Sequence, residues 1–439
     1  MGYVPITSYT PNDPRSFDWS ALPPSDAAPA APAARVSLPA REIVLLLTLA
    51  GIQFTNILDF MILMPLAPQL MRLFEIDPRH FGLLVSAYTF AAAVSGFVAA
   101  FWIDRFGRKR ALLGMYAGFI VATALCGAAP SYELLLAARI VAGIFGGVIG
   151  AVVFTIIADV VPYSRRARGT AFVSAAFSLA AVMGVPVGLW FAAHYSWRAP
   201  FLALAVLATV GWVAAWRIVP PLTAHVDAGE RRRPVAQLRA VFGVPNHLRA
   251  FAFMIVLMTS VFMVVPFIAA YNVANVGLLE TELPYIYFAG GLATLFTAPL
   301  IGSLADRFGK KRLFTILAFI SIAPLVVMTH LPPLPLAGAV AASVLFFVFV
   351  PGRFGPAMAL VTGSVAPRLR GSFMSFNGAV QQLGAGAASF AAGLIVGRDA
   401  AGALTGFDWA GWCAVAATLA AIALALRIRV VPDGSGARE

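Results

Sequence analysis

Charged residues are scarce in this chain: Asp, Glu, Lys and Arg make up 11% of its 439 residues, while 60% are hydrophobic. A soluble globular protein carries about 25% charged residues, so composition alone excludes that class. Cysteine is scarcer still. Cys126 and Cys413 each sit in an apolar block, where a free thiol behaves as a small hydrophobe, and no structural disulfide is expected. Phosphate- and metal-holding motifs are missing as well. No G-x-x-x-x-G-K-[ST] loop occurs, which excludes an ATPase of that kind, and neither H-E-x-x-H nor a Cys/His metal spacing is present. No histidine lies in the middle of an apolar block and no Ser–His–Asp set is evident, so no enzyme, cofactor or metal site is expected. Residues 1–41 lack the basic segment, apolar core and cleavage site of a signal peptide. Rich in Pro, Ala and Ser, they read as a disordered N-terminal tail.

What the chain does have is apolar blocks, repeated many times, and ~20 apolar residues make one bilayer-spanning helix. The expectation is an all-α polytopic membrane protein with twelve transmembrane helices. They fall near 43–66, 80–103, 110–130, 132–160, 170–194, 199–220, 250–274, 283–305, 312–331, 335–362, 371–397 and 407–428. A first six-helix half covers 42–220 and a second covers 250–430. A central loop at 221–249, with Arg231, Arg232, Arg233 and Arg239, divides them, and 431–439 forms a short tail. The net charge of +12 does not call for nucleic acid, because Lys and Arg gather in cytoplasmic loops. Twenty-five basic residues fall on the side of the two termini and four on the other. Both termini are therefore expected in the cytoplasm, with the protein in the inner membrane and the lipid bilayer as its surroundings. Arg139 and Arg353 lie within spans.

The two halves repeat each other. Asp104-Arg105-Phe106-Gly107-Arg108-Lys109-Arg110 follows the second span, and Asp306-Arg307-Phe308-Gly309-Lys310-Lys311-Arg312 follows the eighth. Arg168-Gly169-Thr170 opens the fifth span and Arg370-Gly371-Ser372 the eleventh, while Arg139 in the fourth matches Arg353 in the tenth. Three features recurring with a shift of six spans imply two pseudo-symmetric halves, with a site between them near the bilayer midplane.

Gly302-Ser303-Leu304-Ala305-Asp306-Arg307-Phe308-Gly309-Lys310-Lys311-Arg312 resembles the major facilitator superfamily signature between helices eight and nine. The first-half copy departs from it at Ala100, where the family prefers Gly. Arg139 with Gly143, Gly146, Gly147 and Gly150 resembles the helix-four motif of proton-driven drug exporters. Gly184-Val185-Pro186-Val187-Gly188 resembles their helix-five antiporter motif, with Val185 separating Gly and Pro. Asn56-Ile57-Leu58-Asp59-Phe60-Met61, running to Pro65 and Pro68, resembles their first helix. The resemblance covers about 42–430. It implies alternating access, a proton-coupling role for the arginine at 139, and a conformational latch in the two loops, involving Asp104, Arg105, Gly107 and Arg108 with Asp306, Arg307, Gly309 and Lys310. For those loops the other reading is a tight turn with positive-inside charge, to which Gly107 and Gly309 are suited.

Asp59 is the one acidic residue well inside an apolar span. An ionised carboxylate there costs on the order of 3 kcal/mol, so such a group suits loading and releasing a proton; the alternative is a purely structural salt bridge. Thr55, Asn56 and Asp59 share a helix face. Arg139 needs a partner or a wet cavity. Arg353 sits in Pro351-Gly352-Arg353-Phe354-Gly355-Pro356, where substrate contact, gating and plain structure all remain open. Asn377 and Gln381, one turn apart, are the best candidates for substrate contact, with Thr55, Asn56 and Arg353 also expected on the cavity. The expected function is secondary active transport by a functional monomer: proton-coupled export of small amphipathic compounds, driven by the proton gradient. A sugar or metabolite efflux carrier, or an importer or facilitator of the same fold, is the alternative.

Overall fold

Two prolines break two helices at matching places. In the first span, Ala40–Ile62 gives way to a tight turn at Met64–Leu66 around Pro65 and resumes at Ala67–Leu73. In the seventh, Pro245–Phe262 gives way to a turn at Val265–Phe267 around Pro266 and resumes at Ile268–Tyr271. Proline removes one backbone donor and its ring clashes with the preceding turn, which kinks a helix. The computed structural model describes residues 39–102, 105–222 and 234–431. The tail expected at 1–41 falls outside them up to residue 38, as do Asp104, Arg231 to Arg233 and residues 432–439.

From Ala40 onward the described residues form twelve spans. The second to sixth are Pro78–Trp102, Arg108–Ala128, Tyr132–Val160, Tyr163–His194 and Ala199–Ile218. The eighth to twelfth are Leu283–Phe308, Lys310–Thr329, Leu336–Gly363, Arg370–Ile395 and Phe407–Arg427. In lipid every backbone polar group must be satisfied within the segment, which is why apolar blocks of this length become helices. Eleven of the described helices are long and apolar enough to cross a membrane. The other span, Arg370–Ile395, carries Asn377, Gln381 and Gln382 and is more polar. Within the expected central loop, Pro234–Phe242 is helical and the seventh span already begins at Pro245. His247, expected in that loop, is therefore a buried helical residue whose Nδ1 lies 2.9 Å from the Val241 carbonyl. A small hairpin, β1 (Gly397–Arg398) and β2 (Leu404–Thr405), joins the last two spans.

The halves meet along the second and eleventh spans. A Cβ on Gly82 would sit 2.8 Å from the Gly393 Cα, Gly386 packs on Thr89 and Phe90, and Phe97 and Phe101 pack on Phe376. Between spans without a hydrophobic driving force, such close backbone approach supplies the van der Waals contact. On the face opposite the termini, one buried cluster runs through both halves, from Leu66, Leu70 and Phe81 to Phe267, Ile286 and Phe346. On the termini face the large cluster, including Phe253, Phe314 and Phe373, belongs to the second half. The fifth and eighth spans follow the same division. Val185–His194 and the turn Ala180–Gly184 pack on the eighth span, whereas Tyr163–Leu179 barely touches it. The halves thus share a closed cluster at the far face, while toward the termini they stay in contact along the second and eleventh spans and part at the fifth and eighth.

Candidate functional site

Asp59 lies just before the Pro65 kink, and Arg139 sits on the unbroken fourth span. Arg139 Nη1 donates to Asp59 Oδ2 at 2.7 Å and reaches the Asp59 carbonyl at 3.3 Å. Thr123 Oγ1, from the third span, donates to Asp59 Oδ1 at 3.0 Å. From the second span, Tyr88 places its ring 4.3 Å beneath the guanidinium carbon. Neither member of the ion pair has any exposed side-chain surface. Arg139 Nε and Nη2 have no hydrogen-bond partner among the described residues.

Glycines make this convergence possible. A Cβ on Gly143 would strike the Tyr88 carbonyl, and one on Gly146 the Tyr88 hydroxyl and Asn56. Gly184 and Gly188 do the same for the fifth span, bringing it onto Leu58 and Ile62 on either side of Asp59. Pro186 occupies the first turn after the wide turn Ala180–Gly184, where its missing N–H is least disruptive. Asn56 ties the assembly together, donating to the Gly146 carbonyl at 3.3 Å while Tyr88 Oη lies 3.5 Å from its Oδ1.

Removing the charge from either member of such a pair leaves the other buried and uncompensated, at a cost of about 3–5 kcal/mol. Each member of the pair is therefore held in place by the charge of the other.

The second half repeats the frame without the acid. Ser260 stands six residues before Pro266, as Asp59 stands six before Pro65. Arg353 Nη2 donates to Ser260 Oγ at 2.6 Å, and Nη1 donates to Ser321 Oγ at 2.9 Å and Thr418 Oγ1 at 3.0 Å. Its Nε donates to the Val350 carbonyl at 3.1 Å, inside the break between Leu336–Phe349 and Phe354–Gly363. Each hydroxyl donates its own proton to a carbonyl of its own helix. Among the described residues Arg353 forms no ion pair. Sequence reasoning missed Ser260, Ser321 and Thr418, although the spacing to the two prolines marks the first of them.

Three residues expected on a cavity are closed from solvent. Thr55 bonds Tyr116 Oη at 2.7 Å inside the first half, which corrects its expected place. Arg353 is likewise buried and bonded within its own half. Asn377 is buried, with Nδ2 3.9 Å from Met358 Sδ and Oδ1 without a partner; Gln381 Nε2 also lies 3.9 Å from that sulfur. Gln53, which sequence reasoning passed over, has an unpartnered buried Oε1 one turn from Asn56.

The paired loops are less alike than their sequences. Asp104 lies outside the described residues. Arg105 is exposed, and Arg108 Nε lies 3.3 Å from Asp159 Oδ2. Gly107 has an ordinary φ of −58°, so the conformational need expected there does not exist. Gly309 has φ +87°, a backbone that side chains disfavour. Asp306, Arg307 and Lys310 are exposed, and Asp306 has no hydrogen bond or ion pair among the described residues. At the far face, Arg72 from the first span binds Glu280, before the eighth, through Nη1–Oε1 at 2.5 Å and Nη2–Oε2 at 3.3 Å.

The family model of the Major Facilitator Superfamily matches residues 49–389. The MFS-type transporter YceJ of Bacillus subtilis (strain 168) is 27% identical over 350 residues, covering 80% of this chain and 88% of that one. Multidrug resistance protein 2 of the same organism is 24% identical over 179 residues, 41% of this chain and 44% of its own. The fold is that of a bacterial homolog of the human lysosomal transporter Spinster in an inward-facing, unoccupied conformation. It superimposes with a TM-score of 0.69 at 17% identity, covering 90% of this chain and all of the other. Twelve spans in two related halves, the repeated loops and the family match lead to one conclusion: this chain is a multi-pass membrane protein that belongs to the Major Facilitator Superfamily, a secondary transporter of small molecules and not an enzyme.

Proposed function

We propose that the chain is a proton-coupled exporter of small amphipathic compounds, working as a monomer by alternating access with both termini in the cytoplasm of a bacterial inner membrane. The observation that carries this reading is the fully buried Asp59–Arg139 pair. Its charge state cannot change without changing the packing of four spans, which is what coupling a proton to a conformational cycle requires. The closed far face, with the fifth and eighth spans parted toward the termini, corresponds to the inward-open stage of that cycle. Protonation of Asp59 favours one orientation, and its release accompanies the other. No cofactor enters; the proton gradient is the driving force. Multidrug resistance protein 2 among the relatives supports the export direction and substrate class. The two loops serve as the latch that closes the termini face in the opposite orientation, which fits an Asp306 left unpaired here.

The test is transport by purified protein in liposomes with an imposed pH gradient, against a panel of antibiotics, dyes and sugars, with Asp59→Asn alongside. Movement that follows the gradient and is lost in the variant supports the reading. Movement indifferent to the gradient makes the protein a facilitator.

A second reading, a sugar or metabolite carrier, draws on the buried amide oxygens of Gln53 and Asn377, which lack hydrogen-bond partners among the described residues and suit a substrate rich in hydroxyl donors. Selective movement of sugars in the same panel favours it.

A further inference from the structure

We propose that a cleft where the seventh, ninth and twelfth spans end on the termini face binds the phosphate headgroup of an anionic phospholipid. The cleft has a volume of about 620 Å³ and is lined by Arg249, Lys311, Arg427 and Arg429, with Leu426 and Val430 beside them. Four cations converge there from three spans, and among the described residues none of them forms an ion pair with a carboxylate. The acid lining the neighbouring cleft is Asp306, which shares that space with Lys310, Lys311 and Arg312.

The floor of the cleft is built rather than loose. Asn246 Nδ2 donates to the Arg429 carbonyl at 2.8 Å, and the Arg429 N–H donates back to Asn246 Oδ1 at 3.0 Å. Val431 N–H donates to the Gly363 carbonyl at 2.9 Å. The chain beyond the twelfth span is thereby turned back against the seventh and tenth, and Arg427 and Arg429 are held beside Arg249. Lys311 Nζ donates to the Leu426 carbonyl at 2.8 Å, which anchors one cation at the rim.

The neighbouring surface selects a lipid over a free phosphate. Leu426 and Val430 are each 58% exposed, and Ile316, lining the adjoining cleft, is 44% exposed. A hydrated inorganic phosphate gains nothing from that apolar wall, whereas a phospholipid lays its acyl chains along it with the phosphate among the cations. Clustered Lys and Arg at a membrane boundary attract anionic headgroups in this way. Simple positive-inside bias accounts for basic residues on this face, but not for a fixed cleft that gathers four of them against an apolar wall.

The experiment offers the purified full chain in detergent an equimolar mixture of phosphatidylglycerol and phosphatidylcholine and reads retained lipid by native mass spectrometry. Preferential retention of phosphatidylglycerol is expected, falling roughly tenfold or more when Arg249→Gln, Arg427→Gln and Arg429→Gln are combined. Arg368→Gln, on the same face outside the cleft, leaves retention unchanged. Equal retention of the two lipids, or a triple variant that keeps its preference, overturns the proposal, as does an equal loss in Arg368→Gln. Should the triple variant fail to fold, single Arg427→Gln and Arg429→Gln variants must each lower retention. In a second arm, excess inorganic phosphate leaves the bound lipid in place; displacement by phosphate, with the same rise in melting temperature from phosphate alone, would assign the cleft to free anions instead.

Discussion

Ser260 occupies in the second half the position that Asp59 occupies in the first, each six residues ahead of a helix-kinking proline and each bonded to the buried arginine of its own half. The pseudo-symmetry of the frame is kept and the chemistry is not. One arginine is neutralised by a carboxylate that can take a proton; the other is solvated by hydroxyls that cannot.

The first prediction concerns that ion pair. Asp59→Ala strands a buried guanidinium and is expected to lower stability by about 3–5 kcal/mol. Adding Arg139→Met, which removes the stranded charge, should restore most of it. Denaturant unfolding in detergent measures both, and a double variant no more stable than the single one contradicts the pairing.

Arg353 leads to the opposite ordering. Its hydroxyl partners already donate to their own helices, so Arg353→Met leaves no buried donor unsatisfied and is expected to cost less than about 1.5 kcal/mol. Ser260→Ala takes a hydrogen bond from a buried charge and should cost about 1.5–3 kcal/mol. The same unfolding measurement ranks the two; the reverse ranking would show that Arg353 has a partner other than these hydroxyls.

At the far face, Arg72 is 67% exposed, so breaking its pair with Glu280 is expected to change stability by only about 0–1 kcal/mol. The effect should instead be on conformation. With Glu280→Gln, a cysteine introduced at the buried position Leu70 should react with a membrane-impermeant maleimide faster than in the unaltered clasp. Unchanged labelling would mean that the shared apolar cluster alone holds this face shut.

Close packing gives a fourth prediction. Gly143→Ala drives a methyl group into the Tyr88 carbonyl and is expected to cost about 1–3 kcal/mol, with transport impaired because the ring under Arg139 is displaced. Gly51→Ala, where the added methyl meets nothing within 4 Å, is the control and should be silent in both thermal unfolding and flux.

Much of this was legible in the sequence, and physical reasons separate what was from what was not. Charges inside apolar blocks are conspicuous, so Asp59 and Arg139 stood out, and the lipid requirement for self-satisfied backbone made the spans readable. The eleventh span is legible despite Asn377, Gln381 and Gln382 because the block around them is otherwise apolar or small. Hydroxyls carry no such signal: Thr123, Ser321 and Thr418 look like any helix-packing residue until the fold brings an arginine to them. Gly107 and Gly309 looked equivalent, yet only the second adopts a left-handed backbone, because φ is fixed by how each loop meets its neighbours. The reach of Thr55 toward Tyr116 depended likewise on which way the first span turns in the bundle.

The most direct test of Asp59 as the proton carrier is proton release by detergent-solubilised protein, followed with a pH indicator, on adding a compound that the liposome assay finds transported. Release from the unaltered protein and none from Asp59→Asn, with the compound still bound, is the predicted result. Equal release from both would place the proton on another group and return the Asp59–Arg139 pair to a structural role.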